Sequence, residues 1–132
     1  METYHIFAIK KEAYNAYKNN EYSLYKLIYN LYNLNKEDMN YGLTLYNQLC
    51  FPINKKILEE YLELIHKKRI GKNRYMISEN KKTSILIIKP SNIIYKTNKI
   101  SKDITYILNS YYKYLFICNL EKKDYNWVNN IE

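Results

Sequence analysis

Two segments near the ends of the chain carry mostly apolar side chains at both odd and even positions, Tyr4 to Ile9 and Tyr114 to Leu120. Successive side chains of a β-strand point to opposite faces of its sheet, so a strand that is apolar on both sides needs cover on both faces. Both segments are therefore predicted to be interior strands of one sheet.

The first half of the chain between them follows helical periodicity, with apolar residues recurring every three or four positions. One short helix and three longer ones are predicted. They run from about Lys11 to Lys18, Glu21 to Leu34, Asn35 to Leu49, and Ile53 or Asn54 to Lys67. The basic run from His66 to Arg74 is interpreted as the end of the last helix, with Gly71 as its stop.

The third of these helices has two distinct faces. One face, which is predicted to turn toward the core, is shared by Met39, Leu43, Tyr46 and Cys50 and is widened by Leu45 and Leu49. Gln48 points about 180° away from Met39 at about 100° per residue. Gln48 is therefore predicted to be exposed.

The second helix carries a stripe of tyrosines beside its leucine face, made up of Tyr22, Tyr25, Tyr29 and Tyr32. One interpretation is that these rings pack at the margin of the core with their hydroxyl groups in water. The other is that they form an aromatic contact surface for a partner. The periodicity leaves both open.

After Gly71 the pattern changes to short β-branched segments, RYMIS, SILIIK and NIIYKT, which predict three antiparallel strands. A further helix is predicted to begin at Ser101. The order of elements favours an α+β fold, a single two-layer domain spanning residues 1–132, with helices packed on a mixed or antiparallel sheet of about five strands.

Chain length and composition are consistent with one soluble domain. The 132 residues contain no apolar run near the ~18 residues that a membrane span requires. The N-terminal METYHIFAIKKE lacks the features of a secretory signal, so a cytoplasmic protein is expected. Cys50 and Cys118 have no disulfide-framework or zinc-site spacing, and no cofactor is expected.

The formal charge of +8 raises the question of an acidic partner. A cluster from Lys67 to Lys82, with Tyr75 beside it for base stacking, is a candidate nucleic-acid patch. Solvated loops are the alternative, because the excess is almost all lysine and the abundance of Lys, Asn, Ile and Tyr matches A/T-rich codons.

Catalysis has little support in the sequence. His5 and His66 are far apart, and no nucleophile elbow, H-E-x-x-H helix, phosphate-binding loop or dinucleotide fingerprint is present. The protein is therefore predicted not to be an enzyme.

Three stretches of the chain resemble one family, the sporulation inhibitor of replication (SirA) of spore-forming Firmicutes. YHIFAIKKEAYNAYKNNEYSLYKLI is similar to that family's tyrosine-rich strand, I-K-E-E helix and acidic-aromatic helix. LYNQLCFPI is similar to its Q-I-x-Y-I segment before a proline, and YLFICNLEKKDYNWV to its F-L-A-x-D-F…Y-G-W-L ending.

The resemblance implies a single α/β domain without catalytic activity that binds the N-terminal domain of the replication initiator DnaA and restrains initiation. It places the family's first aromatic anchor at Ala13, the second at Tyr17, the glutamine at Gln48 and a later aromatic at Phe51. Ala13 departs from a large aromatic, so either Ala13 itself or the adjacent Tyr14 is expected at the place of this anchor. We expect a monomer that makes no specific contact with nucleic acid or membrane.

Overall fold

A computed structural model describes residues 1–64, 68–79 and 81–130 of the chain. In those ranges five α-helices pack on an antiparallel sheet of eight strands. The strands are β1 (Glu2–Ile9), β2 (Cys50–Phe51), β3 (Lys68–Gly71), β4 (Arg74–Glu79), β5 (Lys82–Ile88), β6 (Ile93–Thr97), β7 (Leu115–Asn119) and β8 (Asp124–Trp127). The helices are α1 (Lys11–Tyr17), α2 (Glu21–Tyr32), α3 (Met39–Leu49), α4 (Lys55–Leu64) and α5 (Lys102–Tyr111).

The strand order is β3-β4-β5-β6-β1-β7-β8, and β2 pairs with the end of β1. β1 lies between β6 and β7, and β7 lies between β1 and β8. The prediction that Tyr4 to Ile9 and Tyr114 to Leu120 form interior strands is therefore confirmed. None of the helices in the described ranges is long and apolar enough to cross a lipid bilayer.

Two hydrophobic cores lie on opposite faces of the sheet. Along β1, Ile6 and Ala8 belong to one core, while Phe7 and Ile9 belong to the other. The first core contains buried residues of α4 and α5, and the second contains buried residues of α1, α2 and α3. The α+β prediction is confirmed, but the sheet has eight strands instead of about five, and helices on both faces do not confirm a two-layer arrangement.

The basic segment after α4 is a strand where the sequence predicts a helix end. Lys68–Gly71 forms β3 and pairs with β4, so the interpretation of Gly71 as a helix stop is wrong. Asn73 in the turn between these strands has φ of 67°, a left-handed conformation that Asn tolerates better than most residues. Residues 65–67, the predicted last turn of α4, lie outside the described residues.

The buried face of α3 also differs from the prediction. Met39 and Leu43 are 58% and 61% exposed, whereas Gly42 and Leu49 are buried. A Cβ atom added at Gly42 would lie 2.3 Å from Leu34 Cδ1, so glycine lets α3 approach the end of α2 closely. A hydrophobic pattern does not count glycine as a contact residue, and the prediction for Met39 and Leu43 was therefore wrong.

The tyrosine stripe of α2 is divided between core and surface. Tyr25 is buried and stacks on Tyr125 with ring centroids 4.8 Å apart. Tyr22, Tyr29 and Tyr32 are exposed, and the Tyr32 ring makes an edge contact with His5. The Tyr25 hydroxyl is itself buried, so the core-margin interpretation, which places the hydroxyl groups in water, is wrong for Tyr25. The three exposed rings leave both interpretations as predictions.

Candidate partner-binding surface

The segments that contain the predicted contact residues meet at one end of β1. The Lys10 backbone N–H donates a hydrogen bond of 2.8 Å to the carbonyl of Leu49, the last residue of α3. The Lys10 ammonium donates to the carbonyl of Asn47, and Ala8 pairs with Phe51 across β1 and β2. The start of α1, the end of α3 and β2 are thus held together by backbone contacts. We use the name α1–α3 surface for the exposed parts of four residues in these segments: Tyr14, Tyr17, Gln48 and Phe51.

Phe51 is an exposed aromatic side chain on this surface. It is 49% exposed, whereas its neighbour Cys50 is 1% exposed, since adjacent residues of β2 point to opposite faces. The Lys10 ammonium lies 5.5 Å from the centroid of the Phe51 ring, within cation–π range. Phe51 also borders a cleft of about 480 Å³ together with Pro52 and Tyr112. A role for Phe51 as a core residue is therefore excluded.

Gln48 is exposed, as its position on the helix predicts. Within the described part of the chain, its side-chain amide makes no intramolecular hydrogen bond. Both the donor and the acceptor of that amide are thus free to pair with another molecule.

Tyr17 is half-buried at the last turn of α1 and packs against the second core. Its backbone carbonyl accepts a hydrogen bond of 2.8 Å from Asn20, which closes the turn after the helix. At 1.5 Å per residue, Tyr17 lies about 10 Å along the helix axis from Lys10. Tyr17 therefore occupies the opposite end of α1 from Phe51 and Gln48.

Ala13 and Tyr14 face the sheet. Ala13 is 6% exposed and belongs to the second core. The half-buried Tyr14 ring stacks on Tyr114 at 4.0 Å and makes an edge contact with Trp127 at 4.8 Å. The structure thus leaves Gln48 and Phe51 exposed in segments that adjoin the start of α1. It sets Tyr17 at the far end of α1 and places Ala13 in the core.

Sequence patterns missed the cations around this surface. Lys10 lies over Phe51, and the Lys113 ammonium lies 5.4 Å from the centroid of the Tyr114 ring. Lys11 and Lys18 on either side of α1 are also exposed. Lys10 and Phe51 are 41 positions apart in sequence, and only the β1–β2 register brings them together, so no local motif could reveal the pair.

Both cysteines of the chain are buried. Cys50 and Cys118 are 1% and 0% exposed, and burial raises the pKa of both thiols, that of Cys50 to about 12. A thiol in that state is a poor nucleophile. Within residues 1–64, 68–79 and 81–130, no three His, Cys, Asp or Glu side chains come together to hold a metal ion.

His5 is 7% exposed, and its Nδ1 lies 3.1 Å from Asn92 Oδ1. Burial lowers the pKa of His5 below its ordinary value; the hydrogen bond to Asn92 opposes that change, and the positive charge of Lys89 adds to it. His5 is therefore a neutral imidazole at the base of the groove between α2, α3 and the sheet. The second predicted histidine, His66, lies outside the described residues.

Acid is expected to destabilise the protein through His5. Since its pKa is lower in the folded state, the unfolded chain binds a proton first as pH falls, and stability is lost from about pH 6.5 down toward the folded pKa. His5→Gln should flatten this dependence in urea unfolding compared between about pH 7.5 and about pH 5.5. The prediction is contradicted if His66→Gln flattens it instead.

The basic cluster lacks the aromatic contact that the sequence suggested. Tyr75 is 0% exposed and lies in the first core, so its proposed role in base stacking is wrong. Lys72, Lys81 and Lys82 are exposed in and beside the two hairpin turns. Lys67 lies outside the described residues.

Comparison with known proteins finds no matching protein family and no matching curated protein. The resemblance stated above therefore rests on the quoted stretches of sequence.

Proposed function

We propose that this protein is a non-enzymatic, cytoplasmic regulator that binds the N-terminal domain of the replication initiator DnaA and inhibits the initiation of chromosome replication, in connection with sporulation. It needs no cofactor and acts as a monomer through the α1–α3 surface. Two things support the proposal. One is the resemblance to the SirA family, and the other is the exposure and chemistry of the residues at which the resemblance places the contacts.

The observation that carries the proposal is the exposure of both Phe51 and Gln48, three positions apart at the junction of α3 and β2. A phenylalanine that is 49% exposed keeps much of its apolar surface in water. Docking would bury that surface at roughly 25 cal/mol per Å². A neighbouring amide supplies directional hydrogen bonds, and aromatic anchors of this kind concentrate the energy of an interface.

The residues of α1 contribute to this surface in different ways. Tyr17 offers the exposed part of its ring and its hydroxyl group to the partner. Ala13 packs α1 onto the sheet, so Tyr14 takes over the anchor that the resemblance places at Ala13. The contacts of Tyr14 with Tyr114 and Trp127 hold that ring in place before the partner arrives.

The charge of the surface favours an acidic partner face. Lys10, Lys11, Lys18 and Lys113 surround it, and Glu12 is the acidic residue of α1. Complementary charges on two proteins mainly raise their association rate and orient them as they meet, and contribute less to the affinity of the final complex. Binding should therefore weaken as ionic strength rises, mainly through a slower association rate.

The most informative test is co-purification from the organism's own cells. The tagged wild-type protein is expected to retain DnaA, identified by mass spectrometry, and the Phe51→Ala/Gln48→Ala double variant is expected to retain much less. If both proteins retain DnaA equally, the α1–α3 surface is not the contact. If neither retains it, the proposed partner is wrong.

Direct binding to nucleic acid is expected to be weak and non-specific. Lysines on loops without an aromatic platform interact mainly with phosphates, so apparent affinity should fall with a log–log salt slope near −0.9 per neutralised phosphate. Electrophoretic mobility shifts at low and physiological salt measure this. Tight binding to a defined sequence that is lost in the Lys68→Gln/Arg69→Gln variant would contradict the proposal and favour the nucleic-acid alternative.

A further inference from the structure

On the face of the sheet that α4 and α5 cover, a polar cleft of about 460 Å³ lies between the ends of β5 and β6 and the N-terminus of α5. Its lining includes three lysines, Lys82, Lys99 and Lys102. In the described part of the chain, none of these ammonium groups has an ion-pair partner. The cleft thus gathers three positive charges from separate parts of the chain.

The N-terminus of α5 opens into this cleft. α5 has ten residues, and its cap is Ser101, whose hydroxyl oxygen accepts a hydrogen bond of 3.5 Å from the Ile104 N–H. The N–H groups of Lys102 and Asp103 belong to the first turn, where an α-helix supplies no carbonyl partner. Together with the helix dipole, such N–H groups favour an anion.

The floor of the cleft includes the side chain of Ser84. Ser84 is only 8% exposed, and it lies in β5 on the same face as Leu86, which points toward α5. Its side chain makes no hydrogen bond within the described residues. Because Ser84 lines the cleft and its hydroxyl has no partner in the described residues, that hydroxyl can donate a hydrogen bond to a ligand oxygen.

The rim of the cleft is fixed by hydrogen bonds before any ligand binds. The Thr97 hydroxyl donates to the Lys99 carbonyl at 2.8 Å and accepts from the Lys99 N–H at 3.3 Å. The Ser101 N–H donates to the Tyr95 hydroxyl at 3.2 Å, and Tyr95 is fully buried. The loop that carries Lys99 is therefore held in one conformation, which lowers the entropic cost of binding.

We propose that this cleft binds a small phosphorylated molecule, with the phosphate group between Lys82, Lys102 and the first turn of α5, and with the Ser84 hydroxyl donating to the ligand. A volume of about 460 Å³ exceeds what a phosphate alone fills and lies within the usual range of small-molecule sites. The remaining space suits a polar body the size of a sugar. Asp103 also lines the cleft and opposes the anion, which leaves a local charge of +2 from three lysines and one aspartate.

The test is a titration of the full-length protein, followed by NMR or calorimetry, with inorganic phosphate, ribose 5-phosphate and unphosphorylated ribose. Ribose 5-phosphate is expected to bind more tightly than phosphate, and ribose is expected not to bind. Saturation with equal response to ribose and ribose 5-phosphate, or no response to either phosphate compound, would overturn the proposal.

Matched variants locate the bound phosphate. Lys82→Gln and Lys102→Gln should each weaken ribose 5-phosphate binding roughly three- to tenfold, and Ser84→Ala about two- to tenfold. Asp103→Asn should tighten it about two- to fivefold, because it removes the opposing charge. Lys113→Gln, which removes one charge beside Tyr114 and outside the cleft, is the control and should leave the affinity unchanged.

A thermal melt of each variant separates loss of the site from loss of the fold. An equal weakening by Lys113→Gln would overturn the proposal by showing attraction to net charge alone. No tightening by Asp103→Asn in a folded protein would overturn it by showing that the bound phosphate does not lie beside Asp103. Tight binding of a single-stranded oligonucleotide without measurable ribose 5-phosphate binding would also overturn it, because the cleft would then serve a nucleic-acid backbone.

Discussion

Phe116→Ala is expected to destabilise the protein by about 3–5 kcal/mol, the cost of removing a large aromatic side chain from a packed core. Phe116 is 0% exposed in β7, and its ring makes an edge contact with Trp127 at 4.9 Å and a tilted contact with Tyr125. Loss of the ring would leave a cavity under α2, since Leu24 and Ile28 pack into the same core. Urea unfolding followed by the fluorescence of Trp127, the only tryptophan, measures the change.

Phe51→Ala provides the matched control for that measurement, because it removes the same side chain from an exposed position. Its effect on stability should stay within about 1 kcal/mol, since β2 pairs with β1 through backbone groups that the substitution retains. Equal destabilisation by the two variants would contradict the assignment of Phe116 to the core and of Phe51 to the surface.

Phe51→Ala should instead weaken binding to the DnaA N-terminal domain by about 1–3 kcal/mol, or roughly five- to 150-fold. The physical reason is the loss of apolar area that docking would bury, together with the cation–π contact to Lys10 that shapes the surface. Tyr17→Ala and Gln48→Ala should each weaken binding by a similar amount. For Gln48, the substitution leaves a hydrogen-bonding group of the partner unpaired.

Tyr106→Ala is the control for these binding variants. Tyr106 is 74% exposed on α5, which packs on the opposite face of the sheet from α1 and α3. Removing the Tyr106 side chain tests whether the loss of any exposed aromatic ring weakens binding to the DnaA domain, and no change in affinity is expected. An effect of Tyr106→Ala as large as that of Phe51→Ala would contradict the location of the contact.

The sequence predicted best those elements whose apolar residues recur with the period of a strand or with the period of a helix. β1 and β7 were recognisable because both faces of each strand are apolar, and Gln48 was correctly predicted to be exposed from the period of α3. The orientation of α3 as a whole was not predictable in that way. It depends on Gly42, whose contact with Leu34 comes from shape and the lack of a side chain, not from hydrophobicity.

The strands that were missed form through the strand with which they pair and not through a hydrophobic pattern of their own. β2 has two residues and exists because β1 offers free backbone groups to Cys50 and Phe51. The sequence of β3 is a run of mostly basic residues after a helix, which does not predict a strand. It becomes a strand because it pairs with β4 in a hairpin. The candidate site shares this property, since its Lys10–Phe51 contact depends on the same β1–β2 register.

The measurement that tests the central claim most directly is a calorimetric titration of the purified N-terminal domain of DnaA into the wild-type protein, with the Phe51→Ala variant in parallel. The account predicts saturable binding of one domain per protein in the micromolar to nanomolar range, with clearly weaker binding by the folded variant. No detectable binding of the wild-type protein at high micromolar concentrations would contradict it.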